Sequence, residues 1–484
     1  MRKIIEKQLK FGQVDIDRIE IDIQSRDEIP QLLFGLQAIY RDIPRRKKIF
    51  QILESIVPDD TSKTTGRPGM DLWEILVLGT IRLNCNFDYD KLVEIANEHK
   101  TIREFLGHID FGNRYALQTV KDNVLLLTPE VLDQIGSVVI DKGHDLLGKK
   151  DVSLSGRCDS FVVETDVHFP TDINLLWDSM RKMITRIALI FSDLGLTEWR
   201  QSDYILRKIK KLFRKANKLK RSKNQAESII AHQTYIDTAM GYILRTRRDI
   251  EIVRAMGYES ILQLAAVEQY IAHAERQIDQ VRRRAINDET IPHHEKVFSI
   301  FEPHTEWISK GKAGVPQELG LKVCILEDQF GFILHHHVMR KQTDDQVAIE
   351  MVFTAKKKFP QLSGCSFDKG FHSPANQTKL PGIIDKVALP RKGRLSEKTK
   401  AIEHAAEFVQ ARRKHSAVES AINALENHAL DRCPDHGLFG FKRYVALAVL
   451  ARNIQILGAK IQRKEQKRLQ REETAALKRH RQAA

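Results

Sequence analysis

Cysteine is scarce and forms no pattern. The five residues, Cys85, Cys158, Cys324, Cys365 and Cys433, are odd in number and widely scattered, and no C-x-x-C pair occurs. That spacing excludes a zinc ribbon and a disulfide framework, and it fits structural thiols in a reducing compartment. Proline is sparse too: with 14 prolines in 484 residues and 42% hydrophobic content, the chain reads as folded and helix-rich rather than disordered. The start, Met1-Arg2-Lys3-Ile4-Ile5-Glu6-Lys7, lacks the apolar core of a signal peptide. The longest useful apolar run, Tyr444 to Ala451, is far too short to cross a bilayer. A cytoplasmic protein is expected.

What the chain does have is positive charge and length. Its formal net charge is +14 and its pI is near 9.4, which suits a polyanionic partner through phosphate neutralisation and counterion release. At 484 residues it exceeds one ordinary core, so about two to four domains are expected.

Residues 1–150 read as an all-helical N-terminal domain, broken by a linker from Pro58 to Gly69. Asp71 is placed to cap a helix with Leu72, Ile75, Leu76, Gly79 and Leu83 on one face, followed by a short helix over Tyr89 to Glu98 and another from Thr101. Short helices with tight turns fit either a helix-turn-helix module or a dimerising bundle. Residues 151–174 change character, with the β-branched and aromatic run Phe161-Val162-Val163 closed by Pro170. Residues 175–290 return to helix. Within them, Arg207 to Lys223 carries ten Lys or Arg and no acid. An uncompensated run of that density points to DNA backbone contact by Arg207, Lys208, Lys210, Lys211, Arg214, Lys215 and Lys218, where a solvated face is the plainer alternative.

Residues 291–458 alternate strand and helix, as expected of a mixed α/β (α+β) sheet. The pattern predicts a hairpin from Leu321–Leu326 and Gly331–Met339, a helix over Asp344–Lys358, strands at Ser363–Asp368 and Ile383–Leu389, and helices over Arg412–Leu430 and Phe441–Ile456. Residues 459–484 read as a frayed tail with nine basic residues and three acids.

Three acids stand out. In Ser366-Phe367-Asp368-Lys369-Gly370-Phe371, Asp368 ends a short apolar strand, where open α/β sheets present ligand-binding residues. Glu419 flanks the helical stripe Val418, Ile422, Leu425 and Ala429, and leans toward a sheet from its edge. A third acid must come from the strand holding Asp159 and Asp166. Being seven apart, they point in opposite directions along a regular strand, and Asp159 is preferred with Asp166 as runner-up.

These blocks carry a resemblance. Asp159-Ser160, then Val163 to Asp172, Phe301-Glu302-Pro303-His304-Thr305-Glu306-Trp307, Asp368-Lys369-Gly370-Phe371, Ala417-Val418-Glu419, and Phe441-Lys442-Arg443-Tyr444 through Asn453 together look like bacterial insertion-sequence DDE transposases. They are most similar to the ISNCY group and related families with an RNase H-like domain. The match is ordered and spans about 150–458, and Arg67-Pro68 to Leu106 resembles that superfamily's N-terminal domain. The resemblance implies an RNase H-like catalytic domain interrupted by the basic helical insertion. It implies Asp159, Asp368 and Glu419 as catalytic residues and metal ligands in that order, with Glu426 a minor rival for the third place. Many related transposases surround the glutamate with Tyr-x-x-Arg-x-x-x-Glu-x-x-x-x-x-x-Lys; here the four positions read Arg412, His415, Glu419 and Glu426.

The chemistry this implies is phosphodiester cleavage and strand transfer at terminal inverted repeats. It needs an activated water and a neutralised leaving oxygen, which two Mg²⁺ or Mn²⁺ ions per active site supply through oxygen ligands. Double-stranded DNA, both inverted repeats and target, is the expected partner, with a homodimer when two ends are paired. The alternatives are a metal-dependent nuclease of the same fold and a non-catalytic DNA-binding protein whose acids are structural.

Overall fold

The computed structural model describes residues 13–57, 69–108, 112–148, 152–220, 224–257, 261–309 and 317–483. The expected linker from Pro58 therefore lies, but for Gly69, outside the described residues, as do Arg221, Ser222 and Lys223 at the end of the basic run. The chain divides into two compact units: Met1–Asp166 with Ile308–Ala484, and Val167–Trp307.

The first unit is built on a mixed sheet. Its strands are β1 (Leu154–Thr165), β2 (Glu306–Ser309, at the passage between the units), β3 (Gln317–Asp328), β4 (Ile333–Val338), β5 (Leu362–Phe367), β6 (Lys386–Ala388) and β7 (Arg432–Cys433). The order is β2-β3-β1-β5-β6, with β4 also on β3 and β7 also on β1. β1 runs antiparallel to β3, as β3 does to β4, whereas β5 and β7 are parallel to β1 and β6 is parallel to β5. β1 is therefore central, and its apolar stretch Phe161-Val162-Val163 is buried on both faces. Asp328 ties the β3–β4 turn by accepting the amides of Phe330 and Phe332 at 2.8 and 2.9 Å.

The helices of residues 13–148 do not form a core of their own. They share one hydrophobic core with the sheet, which differs from the separate N-terminal domain expected of 1–150. The helix Leu72–Asn84 shows why: all thirteen of its residues are buried, not one face. A helix buried all round belongs to the interior and offers no surface to a DNA groove. Another helix, Gly437–Ala483, runs through the same core. It crosses Glu28–Arg41 at backbone distance, because a Cβ on Gly35 would lie 2.1 Å from the Ile454 carbonyl oxygen and one on Gly458 would lie 1.7 Å from that of Gln31. This helix is long and apolar enough to cross a membrane by length and composition, yet 72% of its apolar window is buried inside the protein. It also corrects the expected frayed tail: residues 459–483 continue it as regular helix.

The second unit is a helical assembly of Asp172–Asp193, Ser202–Leu219, Gln225–Ala255 and Ile261–Val281. Its separate core includes Met180, Met183, Ile184, Ile187, Trp199, Tyr235 and Ile271. Trp199 donates its indole N–H to the buried Asp249 carboxylate at 3.0 Å. The unit is wider than the insertion expected at 175–290, because its first helix begins at Asp172 and residues up to Trp307 belong to it.

Candidate carboxylate site and basic helix

Strand register places two of the three acids. Cys158 on β1 pairs with Phe367 at the end of the parallel β5, so the next residues, Asp159 and Asp368, stand side by side. Side chains alternate along a strand, so Asp159 shares a sheet face with Arg157 and with Ser366 of β5. His415 Nδ1 lies 3.1 Å from Ser366 Oγ, which puts the end of the helix Ala406–His415 over that face. Glu419 follows in the first turn of the helix Ala417–Leu425, where an acid is favoured by the helix dipole. The expected single helix Arg412–Leu430 is broken twice: at Ser416, and at His428-Ala429, where Ala429 takes a left-handed φ of 79°.

The acids differ in exposure. Asp368 and Glu419 are exposed, and Asp159 is half-buried. Asp368 caps the short turn Lys369–Phe371 by accepting the Gly370 amide at 2.8 Å. Asp159 accepts the Ser160 amide at 2.7 Å. Burial pushes the Asp159 carboxyl up to about 6, and the carboxylates of Asp368, Asp344 and Glu419 push the same way against the Ser160 amide. A charged group that leaves water among like charges holds its proton more tightly. The runner-up Asp166 sits elsewhere: it pairs with Arg432 at 3.7 Å and lines a cavity of about 730 Å³ shared with Arg82, Tyr89 and Arg443.

Sequence reasoning missed Asp344. It opens the helix Asp344–Lys358 on the opposite sheet face, where its carboxylate accepts from Ser160 Oγ at 2.6 Å and pairs with Lys322 Nζ at 2.9 Å. A Cβ on Gly370 would lie 2.9 Å from Asp368 Oδ1 and 3.2 Å from Asp344 Oδ2, so the two carboxylates approach each other around this turn. Nothing in the sequence separates Asp344 from an ordinary first-turn acid. His415 was visible only as a departure from the transposase pattern. Its Nε2 is buried without a hydrogen-bond partner, and burial holds its imidazole below the usual range. Arg157 completes this face, with Nε 3.0 Å from Glu327 and Nη2 donating to the Asp328 carbonyl at 2.6 Å. Burial pushes Glu327 up to about 7.

Carboxylate oxygens are the donors that hard divalent cations prefer, so the chemistry of Asp159, Asp368, Glu419 and Asp344 fits Mg²⁺ or Mn²⁺. Among the described residues, however, no three His, Cys, Asp or Glu side chains already stand close enough to share one ion.

The basic helix lies in the second unit. Ser202–Leu219 buries Ile205, Ile209 and Ala216 and leaves Arg207, Lys208, Lys210, Lys211, Arg214, Lys215 and Lys218 exposed. Among the described residues, no ion pair involves any of these seven. Lys210 lies over the Trp177 ring at 5.9 Å, and Trp177 stacks on Phe213. The aromatic pair steadies the buried side of the helix while its cations face outward. Compared with family models, curated proteins and solved structures, the chain matches none.

Proposed function

We propose that this protein is a DDE transposase with an RNase H-like catalytic domain, acting on duplex DNA at terminal inverted repeats. The observation that carries the reading is the register of β1 and β5, which sets Asp159 beside Asp368, with Glu419 close enough to raise the same carboxyl. The sheet supports it. Along β4-β3-β1-β5-β6 the long first strand lies between antiparallel partners on one side and parallel ones on the other, as the RNase H-like reading requires.

In this reading Asp159, Asp368 and Glu419 would hold the divalent cations, and Asp344 would add charge from the other face. When bound, such ions activate water and neutralise a leaving oxygen. The chain's own residues do the rest. The Gly370 amide fixes the Asp368 carboxylate, the Ser160 amide fixes that of Asp159, and Lys322 compensates Asp344. The exposed cations of Ser202–Leu219 neutralise DNA phosphates.

The test is cleavage and joining by the full chain on DNA carrying the flanks of its coding region, with Mg²⁺ or Mn²⁺. Asp368→Asn is expected to lower cleavage at least about 100-fold while leaving duplex binding intact; undiminished cleavage would sink the site assignment. A second reading, a metal-dependent nuclease of the same fold, is favoured by Arg412 and Glu426 standing where related transposases carry tyrosine and lysine. Cleavage without joining of a pre-cut end to a target would select it.

A further inference from the structure

The helix Gly437–Ala483 leaves the core with its charges sorted. Gln462 donates to the carbonyls of Ile23 and Ser25, and Gln466 to that of Ile23, at 2.7–2.9 Å, which fixes the rotation of the helix against the body. At about 100° per residue, Arg463, Lys464, Lys467, Arg471 and Lys478 fall within about 60° of one line, on the side turned away from those glutamines. All five are exposed. Glu465, Glu472 and Glu473 lie on the far side, and the first two pair with Arg468. Among the described residues, no ion pair takes any of the five cations of the row.

We propose that this row, residues 463–478, is a docking surface for the phosphate backbone of duplex DNA. It spans about 22 Å at 1.5 Å per residue, long enough to follow several successive phosphates. Its composition selects among polyanions. From Lys460 to Ala484 there is no Phe, Tyr or Trp, so the row offers no stacking platform of the kind single strands use. Leu469 and Leu477 are the only leucines from Gln462 onward, too little apolar area for a helix that lies in a membrane surface. Separated charge without apolar or aromatic area suits backbone neutralisation. The proposal takes its nucleic-acid partner from the reading above but needs no cleavage.

The experiment uses the full chain and a duplex of arbitrary sequence, titrated from about 50 to about 200 mM salt. Replacing Lys464, Lys467, Arg471 and Lys478 by Gln is expected to reduce the slope of log K against log salt by about 3.6, at about 0.9 per phosphate contact. A melt followed by circular dichroism shows whether the variant is folded. Independently of any variant, acetylation of Lys464, Lys467 and Lys478 in the wild type is expected to slow several-fold when duplex is added. An unchanged slope with unprotected lysines overturns the proposal while leaving DNA binding to Ser202–Leu219. Absence of any duplex binding overturns both. Protection by vesicles rich in phosphatidylserine, but not by duplex, overturns it in favour of a membrane surface.

Discussion

The half-buried charges around the carboxylate site of the sheet unit and the basic helix of the helical unit handle charge in opposite ways. Near the carboxylate site, Asp344 is held by Lys322 and Ser160, Glu327 by Arg157, and Asp159 by the Ser160 amide. In the helical unit, seven cations of one helix face water without ion pairs among the described residues. Burial makes a charge sensitive to its neighbours, as the raised carboxyls of Asp159 and Glu327 show. Exposure leaves a charge available to a screened, long-range partner. The first arrangement fixes charge at defined positions, and the second leaves charge open to partners that need no fixed geometry.

The largest expected effect breaks the comparison from both ends. Asp368→Asn should abolish cleavage and spare binding, whereas neutralising Lys208, Lys211, Lys215 and Lys218 should flatten the salt slope by about 3.6 and spare cleavage of saturated DNA. Fluorescence anisotropy and a gel assay on the same two variants read this directly, and a variant that loses both properties together would merge the roles.

Gly458→Val tests whether the N-terminal helices and the sheet are one cooperative body. With backbone already 1.7 Å from the position of a Cβ, the helices must separate, at a cost of about 3 kcal/mol or more. One shifted melting transition that includes the sheet is expected; a sheet melting at its wild-type temperature would restore a separate N-terminal domain.

Trp199→Phe sharpens the other side. It removes a buried hydrogen bond to Asp249, worth about 1–3 kcal/mol, and should lower the melting of the helical unit alone. Hydrogen exchange over residues 172–281 against β1 and β5 would detect it. Equal loosening of both would mean that the two cores melt together.

The smallest effect concerns Asp159. Its folded pKa is raised to about 6 from 3.8, so the native state holds the proton more tightly than the unfolded chain. That favourable contribution is complete at low pH and is lost as pH rises from about 4 through about 6. Asp159→Asn should therefore melt a few °C above the wild type at pH 7–8 and lose that advantage by about pH 4. A pH-independent difference would mean that neither burial nor the neighbouring carboxylates raise this carboxyl.

Part of this architecture was legible because it is local. Phe161-Val162-Val163 announced β1, and the pattern over 344–358 gave that helix its observed ends, because strand and helix periods are written in consecutive residues. Other features were hidden for a physical reason. The helix Leu72–Asn84 showed one apolar face in sequence, yet neighbours cover it on every side. Ala429 breaks a helix that its composition would continue. The residues after Lys460 read as frayed because few are apolar, but the Gln462 and Gln466 amides dock the helix through hydrogen bonds that no pattern of hydrophobicity records.

The sequence alone determined the charge balance, the helix and strand periods, the density of cations from Arg207 onward and the presence of acids at a strand end and a helix start. Tertiary structure decided which acids meet. Strand pairing set Asp159 beside Asp368, sent Asp166 to Arg432, and brought in Asp344 from the opposite face. It also decided which cations stay free to act. Those outcomes depend on register and helix rotation, which are set by contacts between residues hundreds of positions apart.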